Sequence, residues 1–186
     1  MSSTVKAPPI TVKQYLGFQS PPGFRDELIN GEIVVSPEPK PLHHDVALKL
    51  FKLLEAAAGP SFKVGMRINM TMEMLNSAPS PDVWIVEREK WRAARAANTY
   101  PENAPILAVE VVSPSNRKRR VQEKIYLYLA AGGGGVWVVY PKRSEVRVHA
   151  AGGTETTYHY HVEDGTIPLP SPLQGSIAVG EIFRLD

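Results

Sequence analysis

Two acidic residues stand where acids are hard to place. Glu110 lies in Ile106-Leu-Ala-Val-Glu-Val-Val-Ser113. Strand alternation puts it on one face with Ile106, Ala108 and Val112, while Leu107, Val109 and Val111 fill the other. Both faces are apolar, so an ionised carboxylate there is costly unless it is paired, protonated or bound to a metal. Asp82 opens a second apolar run, Ser80-Pro-Asp-Val-Trp-Ile-Val86. If the two runs are neighbouring strands, the carboxylates converge on one divalent cation. Hard oxygen ligands that leave positions for water and phosphate are what magnesium chemistry on a phosphodiester requires. A nearby lysine would offset charge on the phosphate or orient the attacking water, and Lys118 and Lys124 are the downstream candidates.

The elements that must position these residues follow from periodicity and turn signals. Asn30-Gly31 between Glu27-Leu-Ile and Glu32-Ile-Val-Val marks a hairpin. From His43 to Ala58, Val46, Leu50, Leu53, Leu54 and Ala57 recur at helical spacing, and Gly59-Pro60 ends the pattern. Strands are expected over 62–70 and 82–86, the latter opened by Pro81. A polar connection over 87–104 has room for a short helix. After the Glu110 strand comes a helix over about 116–131, with Val121, Ile125, Tyr128 and Leu129 as its apolar stripe, stopped by Gly132 to Gly135. Strands are expected again over 136–140, 145–150, 156–162 and the C-terminal Ile177–Leu185 run. Mixed strands and helices in one unit give an α/β fold, bordering on α+β, around a mixed central sheet. Residues 1–10 read as a flexible terminus, 11–186 as one domain, and the Pro-rich 36–41 as a surface connection.

Composition bounds the function. A chain of 186 residues that is 43% hydrophobic and 22% charged is an ordinary globular protein, with no apolar run that spans a bilayer and no basic-then-apolar leader. The expected compartment is the cytoplasm, with no membrane partner. The absence of cysteine excludes disulfides, thiolate metal sites and a cysteine nucleophile. A net charge of +2 gives little long-range attraction for nucleic acid. The compact Arg117-Lys-Arg-Arg120 run, just past the Glu110 strand, would either meet a phosphate or form a solvated helix start.

Simpler roles compete for each residue. Glu110 could pair with a buried arginine such as Arg67, Asp82 could cap a loop, and His43 could be an ordinary helix-start residue. His159 and His161 share a strand face but lack a third ligand for zinc. The glycine run lacks the Lys-Ser/Thr of a phosphate-binding loop. Ser113 and Ser115 lie in no Gly-x-Ser-x-Gly turn.

The series INGEIVVSPEPKPLHH, SPDVWIV, ILAVEVVSPSNRKRRVQEK and YLAAGGGGVWVVYP resembles the Uma-type family of restriction endonucleases, a branch of the PD-(D/E)XK nuclease superfamily. The resemblance covers roughly residues 15–185. It implies a restriction-endonuclease-like mixed sheet flanked by helices with extra antiparallel strands, and an endonuclease hydrolysing DNA phosphodiester bonds with Mg2+ or Mn2+. Asp82, Glu110 and Val111 are then the metal ligands. The superfamily lysine two residues after the glutamate is replaced here by Val112, and the family supplies it from the following helix, where Lys124 matches. Glu32 and His43 match further recurrent positions near the site. Cutting both strands would imply a homodimer. Arg120, where the family has an acid, and Tyr140-Pro141, in place of Asp-Pro, are departures. They keep open a degraded nuclease-fold module that binds nucleic acid or a protein partner.

Geometry divides the two lysines. If the strand ends near Ser113, Glu110 lies about 10 Å back at the strand rise. A helix folding back from Arg117 brings Lys124 about 10 Å along at the helical rise, level with Glu110, and leaves Lys118 roughly 8 to 9 Å short. Angle argues the other way, because Lys118 falls nearer the centre of the apolar stripe. A lysine at the stripe's edge can still reach a cleft, so axial level decides for Lys124. Lys124→Ala should lower metal-dependent cleavage by orders of magnitude with metal binding largely intact. Lys118→Ala should mainly weaken DNA binding in a salt-sensitive way. Cleavage rates and binding isotherms of the two variants check the assignment, and loss of cleavage in Lys118→Ala alone would transfer the role.

Overall fold

The computed structural model describes residues 8–113, 118–160 and 165–185. Residues 1–7, Ser115, Arg117 and His161, which figure in the expectations above, lie outside the described residues. The first elements among the described residues are a short helix, α1 (Val12–Tyr15), and a hairpin of β1 (Phe24–Ile29) and β2 (Glu32–Pro37). Asn30 and Gly31 both have positive φ, 51° and 76°, the backbone that a tight two-residue hairpin turn requires. Ile10 is tied to this turn, its N–H donating to the Gly31 carbonyl at 2.9 Å.

The long helix α2 (Pro41–Ala58) starts on a proline, whose missing N–H costs nothing in the first turn. It ends at Gly59, φ 77°. Its buried stripe is His43, Val46, Ala47, Leu50, Leu54 and Ala58. Ala57, expected in the stripe, is exposed. Fully buried leucines such as Leu50 and Leu54 contribute roughly 2 kcal/mol each.

Next come β3 (Phe62–Gly65), β4 (Val83–Glu87), α3 (Arg88–Ala96), β5 (Leu107–Val111), α4 (Lys118–Ala130), β6 (Gly135–Tyr140), β7 (Glu145–Ala150) and β8 (Glu155–His159). These strands form one six-stranded mixed sheet in the order β3-β4-β5-β6-β7-β8. β5 runs antiparallel to β4 and parallel to β6, so the Glu110 strand has a neighbour on each side. All five of its residues are buried. One face of the sheet, with Val83, Ile85, Leu107, Val109 and Val111, packs against α2. The other, with Trp84, Val86, Ala108, Val136 and Val138, packs against Val121, Ile125, Leu127 and Tyr128 of α4 and Ile29 of the hairpin.

Two segments differ from expectation. The strand expected over 62–70 stops at Gly65, because Arg67 takes a left-handed φ of 50° and turns the chain out of the sheet. At the C-terminus only β10 (Ser176–Ala178) is extended, paired with β9 (Thr166–Pro168), and Val179–Phe183 is a helix, α5. Val179 and Ile182 repeat at helical rather than strand spacing, and both are buried against the α2 side of the sheet. No helix among the described residues is long and apolar enough to cross a membrane.

Gly65 pairs with Trp84 across β3 and β4, and a Cβ at Gly65 would meet the Trp84 ring itself. That indole is pinned by Trp91, 5.1 Å away between ring centroids. Gly65→Ala should therefore cost about 1–3 kcal/mol through overpacking. Urea denaturation reads this, and a variant of wild-type stability would show that the Trp84 ring moves freely.

Candidate active site

Asp82 and Glu110 meet because of strand register. Val83 pairs with Val109 and Trp84 with Ala108 in the antiparallel β4–β5 ladder. Continuing that register one step sets Asp82 opposite Glu110, on the face that packs against α4. Cross-strand partners of this kind have Cβ atoms about 5 Å apart. Asp82 sits just before β4 proper, and its Oδ2 accepts the Val111 N–H at 2.9 Å, so the side chain continues the pairing where the backbone of β4 has not yet begun.

Helix α4 brings Lys124 to this pair. Its Nζ donates to the Glu110 carboxylate at 2.7 Å, pairs with Glu27 Oε1 at 2.8 Å and reaches the Ser80 carbonyl at 3.2 Å. Tyr128, one turn further along the same helix face, donates its hydroxyl to Glu110 Oε1 at 2.7 Å. From the opposite side of the sheet, His43 in the first turn of α2 donates from Nε2 to Asp82 Oδ2 at 3.1 Å. Asp82, Glu110, Lys124 and His43 are all buried, 4 to 8% exposed. The site thus lies where β4 begins and β5 ends, between the two helix layers.

The structure brings together four of the expected residues, Asp82, Glu110, Lys124 and His43. It shows Val111 through its N–H on Asp82. Glu32 is 61% exposed and takes Arg120, at 2.8 Å, one turn before Lys124. Arg120 also pairs with Glu123 at 2.9 Å, so the arginine that departs from the family pattern is neutralised by two acids. Lys118 is exposed at the start of α4. The alternative pairing of Glu110 with Arg67 does not occur: Arg67 Nε and Nη2 are buried and have no hydrogen-bond partner among the described residues. His159 is exposed on β8.

Three contributors were not expected. Glu27 is anchored by the Ser80 N–H at 2.6 Å as well as by Lys124. Its signal in the sequence is strand alternation, since it shares a face with Ile29 two residues on, and Ile29 is a core residue. Arg25, on the same face again, places Nη1 3.5 Å from Asp82 Oδ1. Tyr128 was expected only as part of an apolar stripe, yet it lies four residues after Lys124, the spacing at which helical side chains meet.

Three carboxylates, Glu110, Glu27 and Asp82, crowd one buried ammonium, with Arg25 beside Asp82. Burial pushes Glu110 up, to about 8, with Asp82 and Glu27 adding to the effect and Lys124 opposing it. Asp82 is also opposed by burial, but the His43 hydrogen bond and charge, Lys124 and the Val111 N–H together hold it below the usual carboxylate range. Burial disfavours the charged Lys124, yet Glu110, Glu27 and Asp82 outweigh it and hold the ammonium charged. The donor set fits a hard divalent cation: Asp82 and Glu110 face each other across neighbouring strands, and a cation bound between them would favour the ionised form of Glu110. Among the described residues no three His, Asp or Glu side chains form a metal cluster. Asp82 and Glu110 would therefore share the ion with a main-chain oxygen and water, and magnesium commonly keeps several waters.

A family model described as Uma2, putative restriction endonuclease, matches residues 12–180. The crystal structure of a putative nuclease belonging to DUF820 from Anabaena variabilis ATCC 29413 superposes with a TM-score of 0.78, covering 94% of this chain and 98% of that one. At 20% identity the likeness is one of fold. No curated protein matches the chain.

Tyr128→Phe tests the buried network without changing the shape of the core. It removes the hydroxyl that donates to the buried Glu110 Oε1 and leaves that oxygen short of a donor, which should cost about 1–3 kcal/mol. Urea denaturation measures the loss. An unchanged midpoint would mean that the Tyr128 hydroxyl is not bound to Glu110.

Proposed function

The chain belongs to the Uma2 family, described as putative restriction endonucleases, and from that premise we propose that it is an endonuclease hydrolysing DNA phosphodiester bonds with Mg2+ or Mn2+. The observation that carries this reading is the convergence of Asp82, Glu110 and Lys124 in one buried group, with Nζ 2.7 Å from the Glu110 carboxylate. Asp82 and Glu110, with the main chain at Val111, would hold the cation. Bound there, the cation supplies Lewis-acid polarisation of the phosphodiester and a more acidic water.

The protein's own groups do the positioning. His43 and the Val111 N–H fix one oxygen of Asp82 and so set the plane of its carboxylate. Tyr128 does the same for Glu110. Lys124 is the cation beside the carboxylates, placed to counter charge that develops on the phosphoryl oxygens and to orient the attacking water. Glu27 and the Ser80 carbonyl hold its ammonium in place. Glu32 acts at one remove, by fixing Arg120 against the hairpin.

Two measurements test the reading together. Calorimetry should show manganese binding by the wild type that Asp82→Ala and Glu110→Ala each abolish. A screen of plasmid, linear and branched DNA alongside RNA should show metal-dependent cleavage of DNA, lost in the same variants. Equal manganese affinity in all three proteins would sink the metal site. Carboxylate-dependent metal binding with no cleavage of any substrate would leave a nuclease fold that binds without cutting.

A further inference from the structure

One cation at the site has no part in the roles just given. Arg25 lies on β1 two residues before Glu27, on the strand face that meets the site. Nη1 stands 3.5 Å from Asp82 Oδ1 and Nε 3.9 Å from Glu38 Oε2, both too long for a good hydrogen bond. Nε is buried and has no hydrogen-bond partner among the described residues, although the side chain as a whole is 29% exposed. The guanidinium therefore faces Asp82 with one edge and solvent with part of the rest, and its planar fork is only loosely engaged.

The two oxygens of Asp82 are not equivalent. Oδ2 already accepts from Val111 and His43, whereas Oδ1 has Arg25 as its ion-pair partner. A divalent cation held by Asp82 would compete with Arg25 for Oδ1 and repel the guanidinium. A planar guanidinium matches the oxygens of a phosphate in a two-pronged hydrogen bond, which a lysine cannot do. Lys124 is buried with its ammonium committed to Glu110, Glu27 and Ser80, so it is poorly placed to follow a substrate backbone.

We propose that Arg25 is the phosphate-binding arm of this site: it competes with the divalent cation for Asp82 Oδ1 and engages a backbone phosphate of the bound nucleic-acid strand. The inference rests on the endonuclease reading and adds a substrate contact to it. The two effects have opposite signs. Removing the guanidinium helps the cation and harms the nucleic acid, whereas loss of a merely structural residue would weaken both.

The full chain is compared with Arg25→Gln, which keeps a polar stem of similar reach, and with Arg25→Ala. Manganese affinity is measured by calorimetry without nucleic acid, and binding of a labelled DNA duplex is measured by anisotropy in calcium over a series of salt concentrations. Both variants should bind manganese about threefold or more tightly, because a competing positive charge is gone. Both should bind the duplex about tenfold more weakly, with a salt slope smaller by about one. Unchanged or weaker manganese binding, or unchanged duplex binding, overturns the proposal in any variant whose urea midpoint shows it is folded. A wild-type protein that binds no manganese would instead remove the endonuclease reading, which keeps the two failures distinct.

Discussion

The buried ammonium of Lys124 is the group around which the rest of the site is arranged. An ammonium removed from water is tolerable only when oppositely charged and hydrogen-bonding groups surround it. Here they come from three separate parts of the chain: Glu110 in the central strand, Glu27 in the hairpin and the Ser80 carbonyl ahead of β4. The hairpin is a two-stranded sheet of its own, joined to the following segment by the Leu28–Ala78 bridge. The Glu27 contact with Lys124 fixes that hairpin over one end of the main sheet. Breaking one partner of such a buried pair commonly costs about 3–5 kcal/mol, because the other charge stays behind.

Around that lysine the fold divides its work between the two faces of one sheet. Helix α4 delivers Lys124 and Tyr128 from one side, and α2 delivers His43 from the other. They meet at the strand ends, where Asp82 sits just outside the β4 ladder and its Oδ2 accepts from both Val111 and His43. The apolar residues of both clusters exclude water nearby, which strengthens each charge interaction within the site. The same exclusion raises Glu110, with the nearby Asp82 and Glu27 adding to the effect.

Arg120 illustrates how a departure from a family pattern can be absorbed. A basic residue in the turn before Lys124 would add positive charge beside a lysine that already needs three acceptors. Glu32 and Glu123 take both ends of its guanidinium. The Asn-Gly turn that draws attention to Glu32 in the sequence thus leads to a residue that joins hairpin and helix, while Glu27 on the partner strand reaches the lysine.

Features set by short-range periodicity were legible without coordinates. The all-apolar setting of Glu110 marks a strand buried on both faces, Asn30-Gly31 marks a hairpin, and the spacing from Val46 to Leu54 marks a helix. Axial rise sets Lys124 level with Glu110 although helix angle favours Lys118, and in the fold Lys124 Nζ lies 2.7 Å from the Glu110 carboxylate. The strand and the helix depend only on the repeats of 2.0 and 3.6 residues that the backbone imposes, and the hairpin on the ease with which Asn-Gly takes positive φ. Tertiary structure decided the rest: that Glu27, rather than Arg67, joins Glu110 at the site, that Arg25 faces Asp82 Oδ1, and that Tyr128 turns its hydroxyl to a carboxylate. It also decided that the last apolar run folds partly as a helix. These outcomes depend on which surfaces meet across long separations, Ser80 and Glu27 being 53 residues apart. No local repeat encodes such a meeting, because the docking of the hairpin, the sheet and α4 is fixed by the packing of whole elements.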